Sequence, residues 1–261
     1  TGETLEALTA VKTAVSANYS AGDRITYALS LVNTGTAAVT DYTVTDNLGG
    51  YTVGANTVYP LAYNAGTVRY YINGVLQAAP TVTAGPPLTV TGLTVPAGGN
   101  AVLIYETTAT PVAPLATGSS ITNTATITGG GLTTPITAQA TVETANSAEL
   151  SISKALSPTT VTENGQITYT FVISNTGNTE ATATGNVVVT DTFAPILRNI
   201  AVTYNGTAWT EGTNYTYNAA TGVFTTLAGQ ITVPAASFTQ NTDGTFTVTP
   251  GTATLVITGT V

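Results

Sequence analysis

The sequence predicts an all-β protein built as two tandem β-sandwich domains. Three observations lead there. Apolar and polar residues alternate along many short segments, Gly, Pro and Asn punctuate those segments, and one line of sequence is written twice. The doubled line is ITYALSLVNTG at 25–35 and ITYTFVISNTG at 167–177. A lysine precedes each copy, Lys12 and Lys154, and these are the chain's only lysines. Every landmark recurs 142 positions later (154 − 12, 167 − 25, 177 − 35). Such a gap-free match is an internal repeat, and its offset favours two domains within 261 residues.

The elements follow in order. Residues 1–10 read as an N-terminal extension that is mildly apolar (Leu5, Ala7, Leu8) and a candidate donor strand. The first domain is expected over 11–145 and the second over 146–261, with a linker at 144–148. The LEALTAVKTAV stretch is ambiguous by itself, but its counterpart ELSISKAL alternates, so both are expected as strands. In the doubled line Ile25, Tyr27, Leu29 and Leu31 share one face, as do Ile167, Tyr169, Phe171 and Ile173. Each copy ends in Asn-Thr-Gly, where Asn supports a local side-chain turn. Further strands are expected at 41–46, 67–72, 88–93, 101–108, 121–128 and 136–143. In the second half they fall at 186–192, 200–204, 215–217, 223–226, 245–249 and 252–261. A turn-rich loop fills 111–120, and the Asn-Gly pairs at 73–74 and 205–206 read as tight hairpins. Short strands with turns between them point to sandwiches.

Composition excludes several functions. Five basic and thirteen acidic residues give a net charge of −8, which argues against nucleic acid and anionic lipid as partners. The chain has no Cys and no His, which removes disulfides and Cys- or His-based nucleophiles and leaves only oxygen ligands for a transition metal. No acidic cluster has calcium-loop spacing, and no cofactor or metal is expected. No apolar run approaches the ~18 residues of a membrane span. The chain does not begin with Met and carries no signal peptide, as expected of a mature or excised secreted product.

Lys12, Gly22, Ile25, Tyr27, Asn33, Gly35 and Val44-Thr45-Asp46 form one motif set. Lys154, Gly165, Ile167, Tyr169, Asn175, Gly177 and Val189-Thr190-Asp191 form the other. This pattern resembles the conserved immunoglobulin-like repeat domain of bacterial and archaeal surface proteins, domain-of-unknown-function family eleven. That family looks related to fimbrial pilin and adhesin domains, some of which form internal lysine–asparagine isopeptide bonds. The resemblance implies immunoglobulin-like sandwiches, and a crosslink needing a neutral lysine, an Asn amide and a carboxyl group in an apolar core. On that pattern Lys12 is the amine, Asp46 the carboxyl and Asn123, on a late strand, the amide; Lys154 and Asp191 match in the second repeat. Glu106 is a second candidate carboxyl, with Thr258 at the aligned place. A lone strand lysine is also the usual charge that keeps a sheet edge from pairing, and a terminal Asp is a common turn former.

The second copy stops after aligning with 102–110, so it is expected to lack its final strands, including the Asn-bearing one. A fragment of a longer array, a reduced topology, or a strand supplied in trans would each account for that. Trp209, Tyr204 and Tyr215 are candidate ligand aromatics for a sugar, although the same residues also serve a hairpin. The functional expectation is an extracellular structural protein and not an enzyme. It would be a subunit or stalk of a cell-surface filament, pilus-like fibre or surface layer, self-associating head to tail by strand donation. The alternative is an adhesin or carbohydrate-binding accessory module that meets a surface glycan or host protein.

Overall fold

The alternating segments pair as strands in the structure, a computed structural model that describes residues 8–261. The motif residues lie on β1 (Leu8–Ala14), β2 (Asn18–Tyr19), β3 (Arg24–Asn33) and β4 (Val39–Asp46). Short strands follow: β5 (Tyr51–Val53), β6 (Asn56–Val58), β7 (Leu61–Tyr63), β8 (Arg69–Ile72), β9 (Val75–Leu76) and β10 (Thr81–Thr83). Four long strands come next, β11 (Leu88–Val95), β12 (Asn100–Ala109), β13 (Ser120–Gly129) and β14 (Ile136–Thr144).

The second half opens with β15 (Leu150–Ser157) and β16 (Gln166–Asn175), then a 3-10 turn (Ala183–Gly185) and β17 (Thr190–Thr192). After these come β18 (Arg198–Tyr204), β19 (Thr207–Trp209), β20 (Tyr215–Asn218) and β21 (Val223–Thr226). The chain continues through β22 (Ser237–Gln240), β23 (Phe246–Thr249) and β24 (Gly251–Thr260). Two compact units result. One holds the chain up to Ala145 together with Thr239–Thr247; the other holds Asn146–Phe238 and Val248–Val261. Sequence placed 239–247 with the second domain, whereas contacts place it with the first unit.

The first unit pairs two six-stranded sheets, ordered β1-β3-β12-β8-β9 with β7 beside β12, and β10-β11-β4-β13-β14-β2. The second unit repeats the first path element for element as β15-β16-β24-β18-β19. Its other sheet reads β17-β21-β20. Register repeats as well. Lys12 stands opposite Leu29 on β3, and Lys154 stands opposite Phe171 on β16. Period-two alternation then turns Ile25, Tyr27, Leu29 and Leu31 into one core, and Ile167, Tyr169, Phe171 and Ile173 into the other.

The Asn-Thr-Gly turns are built identically. Asn33 Oδ1 accepts from Gly35 N (3.0 Å), while its Nδ2 donates to Ala37 O (2.9 Å) and Val95 O (3.3 Å). Asn175 does the same with Gly177 N (2.9 Å), Thr179 O (2.8 Å) and Pro234 O (3.1 Å). Each asparagine thus satisfies carbonyls that leave the sheet at a corner, a job no apolar residue can do. Gly177 has a second reason to be glycine: a Cβ there would sit 2.1 Å from Ser147 O.

Two expectations need correction. Residues 8–10, assigned to the N-terminal extension, are the first residues of β1 and pair with Asn33, Val32 and Leu31; residues 1–7 lie outside the described residues. The strand expected at 186–192 is ladder-paired only over Thr190–Thr192, after Asn186 in a left-handed conformation (φ 53°). In the first unit β4 is held from both sides, by β11 and β13. Here only β21 holds β17, so the segment before it has no ladder to join.

Candidate functional site

Four strands aim side chains at one point in the first unit. On β1 the inward positions include Leu8 and Lys12, and on β4 they are Tyr42, Val44 and Asp46. On β13 they are Ile121, Asn123, Ala125 and Ile127. Because Asp46 stands opposite Ala125, Asn123 lies two residues along on the same face, in the diagonal position where side chains still meet. Tyr105 of β12 stands opposite Tyr27 of β3, with their rings stacked at 6.1 Å.

The result is a buried ionic cluster. Lys12 Nζ donates to Asp46 Oδ2 at 2.6 Å, with side-chain exposures of 0% and 1%. The Tyr105 hydroxyl donates to the same oxygen, and Leu48 N donates to Oδ1 at 2.7 Å. Lys12 Nζ also sits over the rings of Tyr27 (4.9 Å) and Tyr105 (5.6 Å). Asn123 is fully buried, and neither its Nδ2 nor its Oδ1 has a hydrogen-bond partner. The amide lies close enough to Tyr27 to bear on that phenol's ionisation, yet the Tyr27 hydroxyl is also without a bond of proper geometry.

Desolvation pushes the Lys12 amine below the ordinary lysine range, against the opposing pull of Asp46. Burial raises the phenols of Tyr27 and Tyr105, with Asp46 adding to it. An amine drawn toward neutrality, a carboxyl in contact with it, and an amide with idle donors and acceptors can together support acyl transfer from amide to amine.

The second unit holds a partial copy. Lys154 Nζ lies 2.6 Å from Asp191 Oδ2, and over the rings of Tyr169 (4.7 Å) and Phe171 (5.8 Å). Side-chain exposures here are 40% and 18%, so Lys154 is open to solvent while Asp191 Oδ2 itself is buried. Ile257 stands opposite Tyr169, where Tyr105 stands opposite Tyr27, so no equivalent hydroxyl reaches Asp191.

The remaining candidates do not converge. Glu106, the neighbour of Tyr105 in sequence, points to the other face of β12 and pairs with Arg24 at 3.3 Å. That alternation was the available signal for Tyr105, which sequence reasoning missed together with the role of Tyr27. Trp209, Tyr204 and Tyr215 form no exposed platform. Tyr204 and Tyr215 are buried, Trp209 stacks on Tyr204 at 4.8 Å, and Tyr215 packs on Phe224 at 5.2 Å. Their aromatic faces are spent on the core.

No family model and no curated protein matches the sequence. Among solved structures, the chain is similar to the RrgB pilus backbone of Streptococcus pneumoniae, at 14% identity and TM-score 0.39, over 93% of this chain and 55% of that one. The major pilin subunit BcpA of Bacillus cereus aligns at 15% identity and TM-score 0.37, over 95% of this chain and 66% of that one. The N-terminal domain of the Streptococcus gordonii adhesin Sgo0707 aligns at 13% identity and TM-score 0.39, over 52% and 32%. The chain thus spans between a third and two thirds of the length of these proteins. No family membership follows from them, and the site rests on this chain's own geometry.

Proposed function

We propose that the chain is a structural subunit or stalk segment of an extracellular surface fibre. Its first sandwich is closed by an amide bond between Lys12 Nζ and the side-chain carbon of Asn123. One observation carries this reading: a fully buried Lys12–Asp46 pair beside a fully buried amide whose nitrogen and oxygen are both idle. For stability alone the arrangement is a poor use of a core, since apolar residues of similar volume usually do as well or better than a buried ion pair. An unpartnered amide adds a further desolvation cost.

Chemistry accounts for all of it. Asp46 takes a proton from Lys12, the free amine attacks the Asn123 amide carbon, and the carbon–nitrogen bond breaks as ammonia leaves. Tyr105 holds Asp46 in place, and the surrounding core excludes the water that would compete. The reaction runs once per molecule, on the molecule itself, so the product is a reinforced scaffold and not a turnover catalyst. A covalent tie from the first strand to a late one serves a protein that bears load or meets proteases. The sparse, Thr-rich surface suits side-by-side packing, because few charges need desolvation. Strand donation into the second sandwich belongs to the same reading.

Intact-mass measurement tests the bond. The expected mass is that of the sequence less one ammonia; a mass equal to the plain sequence would sink the crosslink. Negative-stain imaging of concentrated protein reads the fibre separately, with filaments expected.

A further inference from the structure

The first unit's cluster buries three side-chain polar atoms that have no hydrogen-bond partner in the protein: Nδ2 and Oδ1 of Asn123 and the hydroxyl of Tyr27. The crosslink gives the amide a use and leaves the hydroxyl without one. Phenylalanine would fill the same space without the cost of an unpaired hydroxyl, and the second unit's core uses Phe171, Phe193 and Phe224. Strand order says what that hydroxyl faces. Tyr105 crosses the core from β12 to Asp46 on β4, and β1 packs on β14 at the other side. Between β12 and β1 lies β3, and between β4 and β14 lies β13. Tyr27 on β3 and Asn123 on β13, both inward and fully buried, therefore meet across the middle of the core. Tyr27 and Tyr105 stand opposite one another with ring planes 28° apart, so both phenols point across from the same sheet, one to the carboxylate and one to the amide.

We infer that Tyr27 is a catalytic residue of the crosslinking step: its hydroxyl donates to Asn123 Oδ1 as negative charge builds there during attack by Lys12. The inference rests on the Lys12–Asn123 reading above and adds the group that stabilises its transition state. The other polar groups of the cluster are committed elsewhere. Asp46 Oδ2 accepts from Lys12 and from the Tyr105 hydroxyl, and its Oδ1 accepts from Leu48 N. Tyr105 therefore serves the carboxylate, which leaves Tyr27 as the cluster's hydroxyl for the amide oxygen. A fixed donor in a dry core, idle before the reaction and engaged only as charge develops, favours the transition state over the starting amide.

Burial, with Asp46 adding to it, holds the Tyr27 phenol well above its ordinary range, so it stays protonated and donates without becoming charged. The step balances without a net transfer from Tyr27. Lys12 Nζ forms the new bond to the amide carbon, the bond to Nδ2 breaks, and Asp46 passes the proton with which that nitrogen leaves as ammonia. The Tyr27 hydroxyl keeps its proton throughout, and no other reactant is needed.

The test is Tyr27→Phe, which keeps the ring beneath Lys12 and removes only the hydroxyl. The full chain is made by cell-free synthesis, samples are stopped in acid at set times, and intact mass follows the loss of ammonia. Wild type should lose one ammonia, and Tyr27→Phe should lose it about 10²–10³-fold more slowly, the usual effect of deleting one donor to a developing oxyanion. Loss at the wild-type rate would overturn the role of Tyr27 and leave the crosslink standing. A wild-type chain that never loses ammonia would overturn the crosslink reading, and this inference with it, so the two failures are told apart. Folding is checked where no bond can form, by calorimetry of Asn123→Ala with and without Tyr27→Phe. The midpoint should stay or rise when the idle hydroxyl is removed; a fall would show that the hydroxyl holds the fold, and would overturn the catalytic assignment.

Discussion

Replacing Asn123 with alanine separates the crosslinked reading from its rival by sign. If the Lys12–Asn123 bond forms, it closes a ring of about 110 residues in the unfolded chain. The loop-closure relation for a covalent tie of that size gives about 4.8 kcal/mol of stabilisation. Unfolding entropy of about 2.1 cal/mol/K per residue, over ~135 residues, is about 0.28 kcal/mol/K, so Asn123→Ala should lower the unfolding temperature of the first unit by about 17 °C. Without a bond, the same substitution removes a buried amide that has no partner. Such a group costs roughly 1–3 kcal/mol to bury, so its removal should leave the midpoint unchanged or raise it. Differential scanning calorimetry of both proteins, with intact masses alongside, reads the outcome. A midpoint that stays or rises in the alanine variant would refute the reasoning.

Asp46→Ala strands the Lys12 ammonium and leaves Leu48 N and the Tyr105 hydroxyl without their acceptor; denaturant titration should show a loss of at least ~3–5 kcal/mol, and the mass should equal that of the plain sequence. In the Asn123→Ala background Lys12 keeps its amine, whose pKa burial lowers from 10.5, so the unfolded chain binds more protons than the folded one above that depressed value. Stability should therefore rise with pH in that window, up to about pH 10. Above it the buried phenols of Tyr27 and Tyr105, raised by burial, reverse the slope; midpoints measured across alkaline buffers check both limbs. Asn175→Ala removes two carbonyl partners and one acceptor at a buried corner, and urea unfolding should show roughly 2–3 kcal/mol lost from the second unit.

The doubled line was legible because period two and a fixed offset are properties of the residues themselves. They placed Lys12 and Lys154 at one register, and the Val-Thr-Asp ends brought Asp46 and Asp191 to them at the same 2.6 Å. The tyrosines were less legible. Tyr105 meets Asp46 only through the pairing of β12 with β3, and sequence favoured its neighbour Glu106, which faces the other way. Two- and three-residue strands such as β9 and β19 are set by tight Asn-Gly turns and carry no periodicity of their own. The strand expected at 186–192 was shortened for a different reason, since pairing needs a neighbour and alternation alone does not supply one. Trp209 looked like a binding residue because it is unique, yet it spends its face on Tyr204.

The cluster also decides how the first unit answers a pull on its ends. Lys12 lies on β1, and Asn123 lies on β13, opposite Ala140 of β14. With the bond in place the load crosses one amide, and the chain between them is bypassed. At ~3.5 Å per extended residue, about 110 residues amount to roughly 390 Å of contour that cannot be paid out. In a unit so tied, only the residues outside the ring could be paid out before a covalent bond failed.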